Sequence, residues 1–117
     1  MRKAVKAELE TIFSHVYYGA ADDTTAFPYA IFTIEEVSMI DGVCGCELEI
    51  NAVDYGRNTA TIEQKTADTV KAFDHKYYEN ESIAYISYFD RKNNVASEDL
   101  NIIRRRIVFS VNLYEKE

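Results

Sequence analysis

The chain has 117 residues, 47% of them apolar and 28% charged, and a formal net charge of −7. A chain of this length can build one hydrophobic core without metal or disulfide staples, and the composition is that of a folded domain rather than a disordered one. The acidic excess argues against a tight, general grip on nucleic-acid phosphates, and no apolar run approaches the length of a membrane span.

Residues 2–16 place Val5, Leu9, Ile12, Phe13 and Val16 along one side of a helix, with Lys3, Lys6, Glu8 and Glu10 facing outward. The alternating charges of residues 1–10 are unlike a signal-peptide core, so synthesis in the cytoplasm is expected. The helix is predicted to end near Tyr17, Tyr18 and Gly19, the glycine taking a left-handed cap. Residues 20–27 are polar and turn-like, and Pro28 leads into a strand over 29–37. Residues 38–45, with Asp41-Gly42, read as a hairpin connection. The return strand, 46–55, puts Leu48, Ile50 and Ala52 inward and Glu47, Glu49 and Asn51 outward.

A second helix, capped by Asn58 or Thr59, is predicted to run to about Tyr78 with Ile62, Thr66, Val70, Phe73 and Tyr77 in its apolar stripe. Ala60 and Ala67 are expected to let it approach the sheet closely. Residues 82–89 form a third strand, 90–99 a polar loop turning at Asn93-Asn94, and 102–114 a long final strand. In that strand Ile107, Phe109, Val111 and Leu113 alternate with Arg106, Val108, Ser110, Asn112 and Tyr114. The expected fold is a single α+β domain in helix-hairpin-helix-hairpin order: a four-stranded antiparallel sheet with both helices on one face. Its other face would then be uncovered, carrying Ile31, Val53, Ala84, Ile86, Tyr88, Val108 and Tyr114. An apolar patch of that kind is most economically buried in an oligomer; a twisted sheet folding over it is the other solution.

The sequence holds no catalytic motif. Asp54 with Glu63-Gln64-Lys65 echoes the acidic pair and lysine of a nuclease superfamily, in which carboxylates bind a divalent metal. That chemistry needs Glu and Lys to project together from one strand, whereas here both fall in a predicted helix. Glu35-Glu36 and Asp22-Asp23 read as solvated charges, and Ser14-His15 has no third partner in register. Cys44 and Cys46 share a strand face as reduced, partly buried thiols, and with His15 and His75 far apart in sequence they do not complete a zinc site. No cofactor or metal is expected. Alternation sends Arg105 to the face opposite Arg104 and Arg106, so salt bridges suit this run better than phosphate contact.

The N-terminal amphipathic helix, FPYAIF opening the first strand, the helix after the first hairpin and the closing IIRRRIVFSVNLYEKE together resemble the tail terminator proteins of long-tailed bacteriophages and prophages. That group is also called tail completion or head–tail joining. The resemblance covers nearly the whole chain. It implies a non-enzymatic structural protein, made in the host cytoplasm and built into the virion, that forms a ring, usually a hexamer, capping the tail tube and joining it to the head connector. Under that reading Ile31, Ile86, Tyr88, Arg104, Arg106, Val108 and Tyr114 become subunit-contact candidates, and net acidity leaves a DNA-conducting channel non-adhesive. The Cys44-Gly45-Cys46 tip has no counterpart in the family pattern. Two alternatives belong to other classes: a small metal-dependent hydrolase or nuclease using Asp54 and Glu63, and a dimeric protein-binding module.

Overall fold

Helix α1 (Arg2–Leu9) buries Val5 and Leu9. It ends about two turns earlier than its apolar spacing predicts. Thr11, Ile12 and Phe13 then donate back to the carbonyls of Glu8 and Leu9 in a series of tight turns. Those turns bring Phe13 and Val16 into the core without helical backbone. The β-branched and aromatic residues that follow form a short strand, β1 (Val16–Tyr18), and Gly19 at φ 81° donates to the carbonyl of Phe32. The structure, a computed structural model, describes residues 1–21 and 26–116. The expected polar turn over 20–27 therefore lies partly outside the described residues.

The remaining elements are β2 (Tyr29–Ile40), β3 (Val43–Tyr55), α2 (Ala60–Phe73), β4 (Lys76–Glu79), β5 (Ile83–Val95) and β6 (Ile102–Glu115). They assemble in the order β1-β2-β3-β6-β5-β4, a six-stranded sheet in which β1 is parallel to β2 and every other neighbour is antiparallel. The expectation of a four-stranded antiparallel α+β sheet is therefore corrected. The molecule is mostly β, a mixed six-stranded sheet curled into a half-barrel with two helices. Both additional strands come from segments assigned to helix ends. α2 stops at Phe73, and His75 takes a positive φ of 54°, which reverses the chain so that Tyr77 lies in β4 rather than on the helix.

Two connections are also tighter than expected. Asp41 (φ 52°) and Gly42 (φ 79°) alone turn the first hairpin, the left-handed pair that a twisted two-residue loop demands. The segment read as a long loop thus extends the β2–β3 ladder to Ile40↔Val43, with a bulge between Glu36 and Ser38. Residues 90–95, read as loop, instead pair with β6 from Arg91↔Val108 to Val95↔Arg104 after a bulge at Asp90. Polar side chains hid a strand whose pairing is made by its backbone.

The core lies between one face of the sheet and the helices. Leu48 and Ile50 from β3, Ile107 and Phe109 from β6 and Phe32 from β2 are all fully buried, as are Ile62 and Phe73 from α2. Each such side chain contributes about 1.5–3 kcal/mol. The buried hydroxyls of α2 are satisfied locally, Thr66 donating to Ile62 O at 2.7 Å and Thr69 to Lys65 O at 2.8 Å. Ala60 and Ala67, expected against the sheet, are exposed, and the buried Thr69 takes that side of the helix. At its start Thr59 is the N-cap residue of α2 and makes no side-chain cap bond, while Asn58 before it accepts from Ala60 N through Oδ1 at 2.9 Å.

Candidate subunit-contact face

Strand alternation and the observed register place all seven contact candidates on the sheet face turned away from the core. Ile31 and Arg106 lie in one cross-strand row through Asn51, and Val108 pairs with Glu49. Tyr88, Ile86 and Ala84 of β5 sit opposite Ser110, Asn112 and Tyr114. Their exposure differs from that of a bare apolar patch. Val108 is completely buried within the single chain, Tyr114 is 43% exposed, and Ile31, Ile86, Tyr88, Arg104 and Arg106 are half-buried. Val53 and Ala84 are buried as well.

Charged and polar side chains on this face are tied to one another. Arg106 Nε donates to Glu49 Oε1 at 2.6 Å, and Arg104 Nε to Asn51 Oδ1 at 3.2 Å. Asn51 in turn donates to Glu49 Oε2 at 3.0 Å. From β5, Arg91 reaches across β6 to Glu47 at 3.3 Å. The two bridges, Arg106–Glu49 and Arg91–Glu47, bracket Val108 in register. Burial alone would raise the Glu49 pKa, but the hydrogen bonds from Asn51 and Arg106 outweigh it and hold the carboxyl below its ordinary value. Glu47 and Glu49 were read as outward-facing, and their spacing of two matches that of Arg104 and Arg106. That matched spacing was the available signal. Arg91 gave none, because it sat in a presumed loop.

Arg105 points the other way, its Nε donating to Glu63 Oε1 on α2 at 2.7 Å. Glu63 is therefore engaged with an arginine, while Lys65 Nζ reaches the carbonyl of Ile12 at 2.6 Å. Asp54 lies on β3 and accepts from Tyr55 N at 2.8 Å. The three residues of the nuclease-like pattern thus engage three different partners. Among the described residues no cluster of three His, Cys, Asp or Glu side chains could hold a metal ion, and Asp22 and Asp23 lie outside those residues. No helix among the described residues is long and apolar enough to cross a membrane.

Cys44 and Cys46 face the core at the hairpin end, with sulfurs 3.5 Å apart and unlinked. Burial, together with the neighbouring Cys44 thiol, pushes Cys46 up to about 12. They line a groove of about 510 Å³ with Ile34, Met39 and Leu113, where the hairpin projects. At the opposite end of the sheet Phe27 packs on Tyr29 and Tyr55, at centroid distances of 5.4 and 5.6 Å.

No protein-family model and no curated protein matches the sequence. A solved structure does match in three dimensions. The fold is similar to that of a chain in the virion of a native gene transfer agent particle, with a TM-score of 0.71 over 92% of this chain and 84% of that one. Sequence identity is 16%, so the likeness is one of fold.

Proposed function

We propose that this chain is a structural protein of a phage-like virion, acting as a tail terminator. In this reading copies of the chain form a homo-oligomeric ring, hexameric by analogy with the family the sequence resembles. The ring ends the tail tube at its head-proximal end and joins it to the head connector. The protein performs no chemistry of its own, needs no cofactor, is made in the host cytoplasm and resides in the neck of the particle.

The observation that carries this reading is the fold shared with a virion chain over 92% of this sequence. The sheet supports it from a second direction. Its open face is an organised surface of paired charges and half-buried apolar residues, which suits contact with a neighbouring copy. A net charge of −7 would let DNA pass a ring lumen without adhering. The hydrolase alternative gains no support, because Glu63 and Lys65 are committed to Arg105 and to the carbonyl of Ile12. The dimeric module is addressed by the strand edges described below.

The test uses the tail tube protein encoded in the same genome. Tubes polymerised with this protein present should be shorter and carry it at one end only. Unchanged tube lengths with no bound protein would refute the terminator role.

A further inference from the structure

The sheet ends in two strands that are each covered for only part of their length. β1 pairs with Ala30, Ile31 and Phe32 of β2, and among the described residues no strand pairs with the outer edge of residues 33–40. At the other side β4 pairs with β5 from Ala84 to Ser87, and the Asp74 carboxylate accepts the N–H of Phe89 at 2.9 Å. Beyond that point the outer edge of residues 90–95 has no strand partner among the described residues. An uncovered edge is a row of backbone donors and acceptors, a template for another strand; each of these edges carries one bulge, between Glu36 and Ser38 and at Asp90, which leaves residues 33–36 and 91–95 as the regular stretches open to pairing.

The two free edges differ in charge. Residues 33–40 contain Glu35 and Glu36 and no Lys or Arg, while residues 90–95 present Arg91 and Lys92 beside a single acid, Asp90. Among the described residues Glu35, Glu36 and Lys92 make no ion pair, although Arg91, Arg105 and Arg106 all do. The acidic edge also exposes Val37, Met39 and Ile40, each at least 60% accessible. Strand direction is compatible with joining. Successive antiparallel pairings through β3 and β6 leave β5 antiparallel to β2, so a second copy in the same sense adds its β2 antiparallel to the β5 of its neighbour.

From these observations we infer that the chain assembles with copies of itself by strand addition, the acidic β2 edge of one copy pairing with the basic β5 edge of the next. This rests on the ring reading above and specifies its joint. The charge pattern selects the symmetry. Two β2 edges meeting would set Glu35 and Glu36 against their own copies, which disfavours a two-fold dimer. Acid on base is heterologous, the head-to-tail contact that builds a ring when its rotation closes and a filament when it does not. The faces limit the register to one parity, and charge pairing chooses within it. Glu36 and Lys92 both lie on the core side of the sheet and Glu35 and Arg91 on the open side. Glu36 is therefore set opposite Lys92, with Glu35 diagonal to Arg91.

The experiment compares solution mass for four full-length proteins: wild type, Glu35→Lys with Glu36→Lys, Arg91→Glu with Lys92→Glu, and all four changes together. Wild type should run as the ring, each paired reversal as a monomer with unchanged circular dichroism, and the fourfold swap as a ring again. Because Arg91 also bridges to Glu47, a variant that loses its fold is replaced by E36C/K92C in a background with Cys44→Ala and Cys46→Ala, since Glu36 stands directly across from the free thiol of Cys46. The two positions lie on opposite edges of one sheet, so under oxidation this protein should give an intermolecular disulfide ladder. Rings that survive both reversals, or a cysteine variant that gives no ladder, overturn the edge joint while leaving the ring reading intact. A wild type that is monomeric at every concentration overturns both.

Discussion

Arg106 of β6 and Glu49 of β3 are not direct cross-strand partners; they meet on the diagonal at 2.6 Å, while the residue directly opposite Arg106 is Asn51. Asn51 donates to the same carboxylate, so Glu49 gathers two neighbours into one polar cap beside the buried Val108. The charged residues that alternation sends to this face are thus tied to one another rather than left free around Val108.

That geometry has a pH signature. The folded Glu49 pKa is depressed, so its contribution to stability is fully present above the unfolded pKa and is lost as pH falls through the folded value. Glu49→Gln should therefore melt below wild type at neutral pH, by an amount in the range of about 0.2–1 kcal/mol typical of exposed pairs or slightly more. The gap should close below the ordinary Glu range of about pH 4.3. Thermal melts across that range check it, and a gap independent of pH would contradict the assignment.

The end of α2 is secured from the sheet. Ser87, fully buried on β5, donates its hydroxyl to the carbonyl of Phe73 at 2.6 Å. Ser87→Ala leaves that carbonyl without this partner and should cost about 1–3 kcal/mol in denaturant unfolding. A neutral effect would mean that the helix end does not depend on this bond.

Phe109 sits at the centre of the core, its ring 5.6 Å from Phe73 and 6.0 Å from Phe89. Phe109→Ala should destabilise by about 3–5 kcal/mol. A loss below about 1 kcal/mol would show that the β6 face does not carry the core.

Both thiols lie beneath the hairpin with less than a tenth of their surface accessible, and Cys46 has its pKa pushed up to about 12. Alkylation at mildly alkaline pH should be slow at Cys46 in the native protein and fast once it is unfolded, because only the thiolate reacts. Equal rates in the two states would place the thiol in solvent.

Where one periodicity governed a segment, the fold was legible. The face of β6 with Ile107, Phe109 and Val111, the inward Leu48, Ile50 and Ala52, and the start of α2 directly after Asn58 and Thr59 all follow from local pattern. The strands β1 and β4 were not legible, because Val16 and Tyr77 also satisfy a helical stripe and only the turns at Thr11–Phe13 and His75 decide against it. The 90–95 segment was hidden for the opposite reason: its Arg, Lys and Asn side chains look like a loop, yet a strand on a sheet edge needs little apolar character. The contact face was legible in its membership and not in its exposure. Which residues share a face follows from parity, whereas the burial of Val108 between the Arg91–Glu47 and Arg106–Glu49 pairs does not.

The central claim is that this chain works as a closed ring of identical copies. Electron microscopy of the purified full-length protein over a concentration series tests it most directly. The account predicts closed rings of one size, with populations that rise with concentration. Particles that remain monomeric throughout, or that join only as symmetric pairs, would contradict it.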